Sequence, residues 1–184
     1  FDDLFASDAE RLKKIVHGIK EEGINQKVNF GCLSRVDIIN DERLKLLKEM
    51  NVSQIDYGFE SGSQKVLNYL KRDTTTVEMN RKAIELTKKY GINIHGFFVI
   101  GAPDETKEDM LKTLNFIKEN KIDTVTLCVL TPYPGTDVWD EAKQRGLVSE
   151  NMDWSLLDLT PEKGKFIYLN KKMSIKRNKP LPNV

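Results

Sequence analysis

The chain has 184 residues, 39% hydrophobic and 31% charged, with a net charge of +1. This is the composition of a folded domain and excludes a disordered segment. A charge near zero supplies no field to gather nucleic acid or anionic lipid, and no apolar run approaches the ~20 residues of a membrane span. The charged N-terminus does not read as a signal peptide, so a cytoplasmic location is expected. Cys32, Cys128, His17 and His95 are scattered, which predicts free thiols and no metal site within the chain.

The chain opens on FDDLF, which reads like the end of a strand, with no initiator methionine. A piece of a longer protein is expected. Ser7 and Glu10 stand at capping-box spacing, Leu12, Ile15, Val16 and Ile19 recur at helical intervals, and Gly23 supplies a stop. A strand is predicted over 28–34, then a helix capped by Asn40 that buries Leu44, Leu47 and Met50. A second strand is predicted over 54–60 and a short helix from about Ser63. The next helix takes Thr75 and Glu78 as its capping box and ends at Tyr90-Gly91. INIHGFFVIG is the third strand. Thr106 caps a helix whose Met110, Leu111, Leu114 and Ile117 share one face. TVTLCVL is the fourth strand, and TDVWDEAKQRG the last helix.

Strands alternating with helices predict parallel strands joined by right-handed crossovers, an α/β fold that is either an open sheet or part of a barrel. The apolar runs 96–100 and 124–130 predict strands covered on both faces. Residues 1–148 carry this pattern, and 149–184 read as an extension or tail. Residues 163–184 hold seven basic and no acidic residues and end in KPLPNV.

In such folds ligands sit beyond the carboxyl ends of the strands. Those ends are Ser34-Arg35, Glu60-Ser61-Gly62-Ser63, Gly101-Ala102-Pro103 and TPYPGT, with Asp2 and Asp3 ending a strand whose start is not in the chain. Each has a plain rival reading. Gly101 either lets backbone approach a flat ligand or simply makes a tight turn. Glu60 is a ligand group or a salt-bridge partner of a lysine. Ser61 and Ser63 are site residues or helix caps. Arg35 faces the rim or pairs with Asp37 or Asp41. Arg72 is a binding cation or a solvated helix end. No P-loop and no G-x-S-x-G elbow is present.

Taken in order, FDDLF, LSRVD, YGFESGSQKVL, KYGI with FFVIGAPDET, and TPYPGT resemble the radical S-adenosylmethionine superfamily over residues 1–148. The similarity is greatest to the branch whose members often carry an N-terminal cobalamin-binding domain, such as the anaerobic Mg-protoporphyrin IX monomethyl ester cyclase type and various methylases. The resemblance implies a partial (βα)6 TIM-like barrel, here lacking the first strand and most of the second. It implies a [4Fe–4S] cluster on a C-x-x-x-C-x-x-C loop that cleaves S-adenosylmethionine to a 5′-deoxyadenosyl radical. The cluster ligands, and any cobalamin domain, would lie outside this chain, which alone is expected to be inactive.

By the same resemblance, Glu60 and its neighbour Ser61 stand near the ribose or methionine part of the cofactor. Arg72 stands at the methionine carboxylate, with adjacent Lys71 as a substitute. Val99 and Gly101 line the adenine. Arg35 lies on the cofactor or substrate side, and Asp2 and Asp3 on the substrate side. The implied reaction is cyclisation, methylation or related C–H chemistry on a tetrapyrrole or lipid-like small molecule. Flavodoxin or ferredoxin would be electron donor, and the missing N-terminal part of the same protein a partner. The rivals are an aldolase-like barrel, which would need a strand-end lysine, and a non-catalytic or RNA-contacting α/β module using the basic tail; nucleic acid is otherwise not an expected partner.

Overall fold

The computed structural model describes residues 4–157 and 167–172. One sheet of four strands runs in the order β1 (Phe30–Ser34), β2 (Val52–Glu60), β3 (Asn93–Ile100), β4 (Thr124–Val129). Every neighbouring pair is parallel, as the strand–helix alternation predicts. The connecting helices are α1 (Ala9–Glu21), α2 (Asp41–Glu49), α3 (Gln64–Lys71), α4 (Val77–Lys89), α5 (Lys107–Glu119) and α6 (Asp137–Gln144). The result is an α/β fold with an open sheet, the arrangement of an incomplete barrel.

Helix starts follow side-chain caps. Asn40 and Thr106 cap α2 and α5 as predicted, and Thr106 forms a full capping box with Asp109. Two caps sit one residue later than their spacing implied. Asp8, not Ser7, accepts from the N–H groups of Glu10 and Arg11, and Thr76, not Thr75, accepts from Met79. A carboxylate accepting two N–H groups is the stronger cap for α1.

One face of the sheet carries the core. Ile55, Tyr57 and Phe59 of β2 and Ile94 and Phe98 of β3 are fully buried against Leu12, Leu44, Leu47, Ile84 and Phe116 from the helices. Phe59 is the hub, with ring centroids 5.4 Å from Tyr57, 5.8 Å from Phe98 and 6.0 Å from Phe116. Gly96 makes this possible, since a Cβ there would stand 2.8 Å from the Phe98 ring and 3.0 Å from Phe59. The alternate residues Gln54, Asp56, Gly58, His95, Phe97 and Val99 line the opposite, hollow face and are all half-buried.

Two packing expectations are corrected. β4 is an edge strand and is not covered on both faces: Val125 and Leu127, in register with Gly96 and Phe98, are 40% and 55% exposed. Among the described residues no strand lies beyond β4 in the sheet. On α5 the inward residues are Asp109, Thr113 and Phe116, while Leu111 and Leu114 are exposed. The helix is turned so that its polar groups hold a neighbouring loop, described below, and hydrogen bonding outweighs the apolar stripe.

A second apolar cluster joins Trp139 and Ala142 of α6 to Val148, Leu157, Ile167 and Leu169. Residues 167–172 thus dock on the body of the domain. Asp2, Asp3 and 173–184 lie outside the described residues.

Candidate functional site

The parallel strands bring Ser34, Glu60, Gly101 and Leu130 to one rim. Glu60 is the most constrained of them. Its φ is +62°, in the left-handed region that costs a non-glycine residue roughly 1–2 kcal/mol. The Ser61 N–H donates to the Phe59 carbonyl at 2.8 Å, closing a three-residue turn around Glu60, and the β2–β3 register shifts at the same place. The turn folds the Glu60 side chain back over Gly58, where a Cβ would lie 2.6 Å from Oε1. Lys71 Nζ meets that oxygen at 2.8 Å. A polar notch of about 120 Å³ adjoins the pair, lined by Ser34, Arg35, Asp37, Gly58, Lys71, Thr74 and Thr75 among others.

The other predicted rim residues fall into different roles. Ser61 is fully buried; its hydroxyl is 3.0 Å from Thr113 Oγ1 and accepts the Ser63 N–H at 3.0 Å. Its side chain therefore secures the loop from beneath. Arg35 reaches the notch but is held bidentately by Asp37, at 2.9 and 2.6 Å. Arg72, at φ +49°, turns outward to Asp137 on α6, and both side chains are exposed. Of the two adjacent cations, the structure thus brings Lys71 and not Arg72 to Glu60. Val99 faces the hollow below Gly101, whose φ is +91°.

The loops are fastened by groups that spacing did not reveal. Ser63 Oγ donates to Asp109 at 2.7 Å, and the Gly62 N–H to Thr113 Oγ1 at 3.0 Å. Burial pushes the Asp109 carboxyl up, but hydrogen bonds from Ser63 and Thr106 and the Lys65 charge outweigh it and hold the group well below the ordinary range. Glu105 is 1% exposed, and its Oε2 accepts the Gly101 N–H at 2.6 Å. Burial raises its pKa, partly offset by the Gly101 and Ala102 N–H groups. Lower in the hollow, Gln54 donates to Asp56 at 2.8 Å, Asp56 stands 3.5 Å from His95 Nδ1, and His95 Nε2 is 2.9 Å from Thr126 Oγ1. Phe97 lies 4.5 Å from the His95 ring. Only inward alternation of polar residues inside otherwise apolar strands signals this row in the sequence.

Among the described residues no group of His, Cys, Asp and Glu is placed to hold a metal ion, and the two thiols lie on strands at opposite edges of the sheet. No described helix is long and apolar enough to cross a membrane. The fold and site define an open parallel α/β barrel segment that gathers charged and glycine-bearing strand ends on one rim.

The family follows from comparison. Residues 2–117 match the Radical SAM superfamily, and the chain belongs to it. It is 33% identical to "Uncharacterized methyltransferase PH0819" of Pyrococcus horikoshii over 83% of this chain and 32% of that one. It is 31% identical to the anaerobic magnesium-protoporphyrin IX monomethyl ester cyclase of Rubrivivax gelatinosus, over 62% of this chain and 21% of that one. Among solved structures it resembles the radical S-adenosylmethionine methyltransferase TsrM of Kitasatospora setae, with cobalamin and a [4Fe–4S] cluster bound. There the TM-score is 0.66 at 16% identity, over 76% of this chain and 26% of that one, a likeness of fold. The chain spans about a third or less of the length of the curated relatives it matches.

Proposed function

We propose that this chain is a cofactor-positioning part of the core of a cytoplasmic radical S-adenosylmethionine enzyme. The enzyme would act in methylation or cyclisation at a carbon centre of a small molecule of tetrapyrrole or lipid-like type. The observation that carries the reading is the strained Glu60, bent over Gly58 onto Lys71 at the rim of a chain belonging to this superfamily. Strain of this kind persists where the surrounding structure holds it for a purpose.

In this reading the Glu60–Lys71 pair offers an acceptor and a cation side by side, suited to a ribose hydroxyl and a carboxylate. Arg35 stands at the same notch as a second cation. Ser61 acts as a positioning residue through the loop it fastens. Val99 and Gly101 receive the flat base, with Gly101 held in place by Glu105. The row Asp56–His95–Thr126, beside Phe97, faces the substrate from the hollow and offers it hydrogen bonds. The iron–sulfur cluster, bound by residues outside this chain and reduced by a flavodoxin or ferredoxin, would supply the reductive cleavage of S-adenosylmethionine. Cobalamin, if the complete protein carries that domain, would lie outside this chain as well.

The test is S-adenosylmethionine binding by calorimetry to the complete protein, reconstituted anaerobically. Glu60→Gln and Lys71→Ala should each weaken binding roughly tenfold, the loss of one charge-assisted hydrogen bond, about 1.5 kcal/mol. Arg72→Ala should change it less than threefold. Equal affinity for the first two variants and the unsubstituted protein overturns the assignment.

A further inference from the structure

We propose that the outer face of α4 is a self-complementary surface on which a second copy of this chain docks. Glu78, Lys82, Glu85 and Lys89 follow one another at helical spacing and are all exposed, so they form a single stripe along the helix. Their order is acid, base, acid, base. Such a stripe commonly closes on itself through pairs four residues apart. Here it does not. Lys89 turns away to Asp41 of α2, at 2.9 Å, and Glu78, Lys82 and Glu85 make no ion pair with any described residue. Beside the stripe, between α4 and the β1–α2 loop, runs a groove of about 550 Å³. Its apolar lining includes Val36, Ile39, Met79 and Leu86, all only half-buried.

One arrangement answers both the unpaired charges and the open groove. With a two-fold axis level with the middle of α4, between Ala83 and Ile84, the two copies of the helix run antiparallel. Lys82 then meets the second copy's Glu85, and Glu78 meets the second copy's Lys89, each contact occurring twice. A parallel pair about an axis along the helix would set acid on acid and base on base, so charge selects the antiparallel one. The same axis keeps the groove side of one copy beside the groove side of the other. Met79 and Leu86 from both copies therefore form one apolar row next to the charges. The 13 residues of α4 span about 20 Å, which places the contact at the small end of specific interfaces and its affinity in roughly the micromolar range.

The experiment is sedimentation of the complete protein over about 1–200 µM, with thermal unfolding alongside to show that each variant folds. The unsubstituted protein should dimerise, and less tightly as salt is raised. Lys82→Glu and Glu85→Lys should each weaken the dimer at least roughly tenfold, because the two-fold axis turns two attractions into two repulsions. Mixing the two variants should restore a heterodimer of near-parental affinity, since opposite charges then face each other again. A monomer at every concentration overturns the inference. A dimer that both reversals leave intact overturns it too, by placing the interface elsewhere. Failure of the mixture to recover does the same, since the loss would then be a local effect of the reversed charge.

Discussion

Gly62→Ala is expected to be the most damaging single-methyl addition at the rim. A Cβ on Gly62 would lie 2.6 Å from the Lys112 carbonyl oxygen, 2.6 Å from Phe116 Cβ and 2.8 Å from Thr113 Cα. All three belong to the body of α5, and none is the far end of a flexible side chain. Relief requires the loop and helix to part by nearly an ångström, an overpacking cost of about 1–3 kcal/mol. The same movement stretches the Gly62–Thr113, Ser61–Thr113 and Ser63–Asp109 hydrogen bonds, now 3.0, 3.0 and 2.7 Å. At about 1 kcal/mol each when weakened, the total reaches about 4–6 kcal/mol. For a chain of this size that is a fall in Tm on the order of 10 °C. Gly18→Ala is the control: nothing lies within 4 Å of its Cβ, it sits inside α1, and it should stabilise by about 0.5–1 kcal/mol. Urea and thermal unfolding of both variants decide the matter. A Gly62→Ala protein within 0.5 kcal/mol of its parent would refute the claim that this loop is locked onto α5.

Gly58→Ala should behave oppositely, because its new Cβ would clash with the movable Glu60 carboxylate alone, at 2.6 Å, while Lys71 Nζ lies at an ordinary 3.7 Å. Stability should hold within about 1 kcal/mol while the Glu60–Lys71 pair separates, so cofactor affinity falls and Tm does not. Glu105 has its pKa raised by burial, so its contribution to stability is full below its ordinary 4.5 and is lost as pH rises through the raised value. The stability of Glu105→Gln relative to the parent should therefore increase between pH 4 and 8, read by urea unfolding at each pH. Asp109 has the opposite sign: its contribution is present above its ordinary 3.8 and is lost as pH falls below it, so Asp109→Asn should flatten the acid limb of the unfolding profile. Cys32 is buried, and desolvation, with Asp56 nearby, pushes its thiol up to about 12. It should resist alkylation at pH 8 in the folded chain and react once urea unfolds it.

Strand and helix order was legible because each strand supplies an apolar run and each helix a capping residue. The fold of this chain is written in short-range pattern. What escaped was orientation. Leu111 and Leu114 look like a core stripe until the polar demands of the ESGS loop are counted, and those come from residues about fifty positions earlier in the chain. Likewise Lys71 and Arg72 are indistinguishable by type and spacing. Which one turns toward Glu60 depends on the left-handed φ of Arg72 and on Asp137, far along the chain. The hollow-face row Asp56–His95–Thr126 draws one residue from each of three strands, so no local window contains it.

The two faces of the sheet divide the work, and this explains where strain is tolerated. On the helix side Tyr57, Phe59, Phe98 and Phe116 interlock, and glycine appears where rings need the room. On the hollow side Gly58 also makes room, but for a carboxylate. A left-handed glutamate in the middle of β2 would break the aromatic hub. At the last residue of the strand its cost is confined to a turn that Asn80 braces by donating to the Phe59 carbonyl at 3.1 Å. The strained residue and the packed core are thus neighbours in sequence and separate in consequence. That separation predicts that changes at Glu60, Gly58 and Lys71 will move ligand affinity without moving Tm, whereas changes at Phe59 or Gly62 will move both.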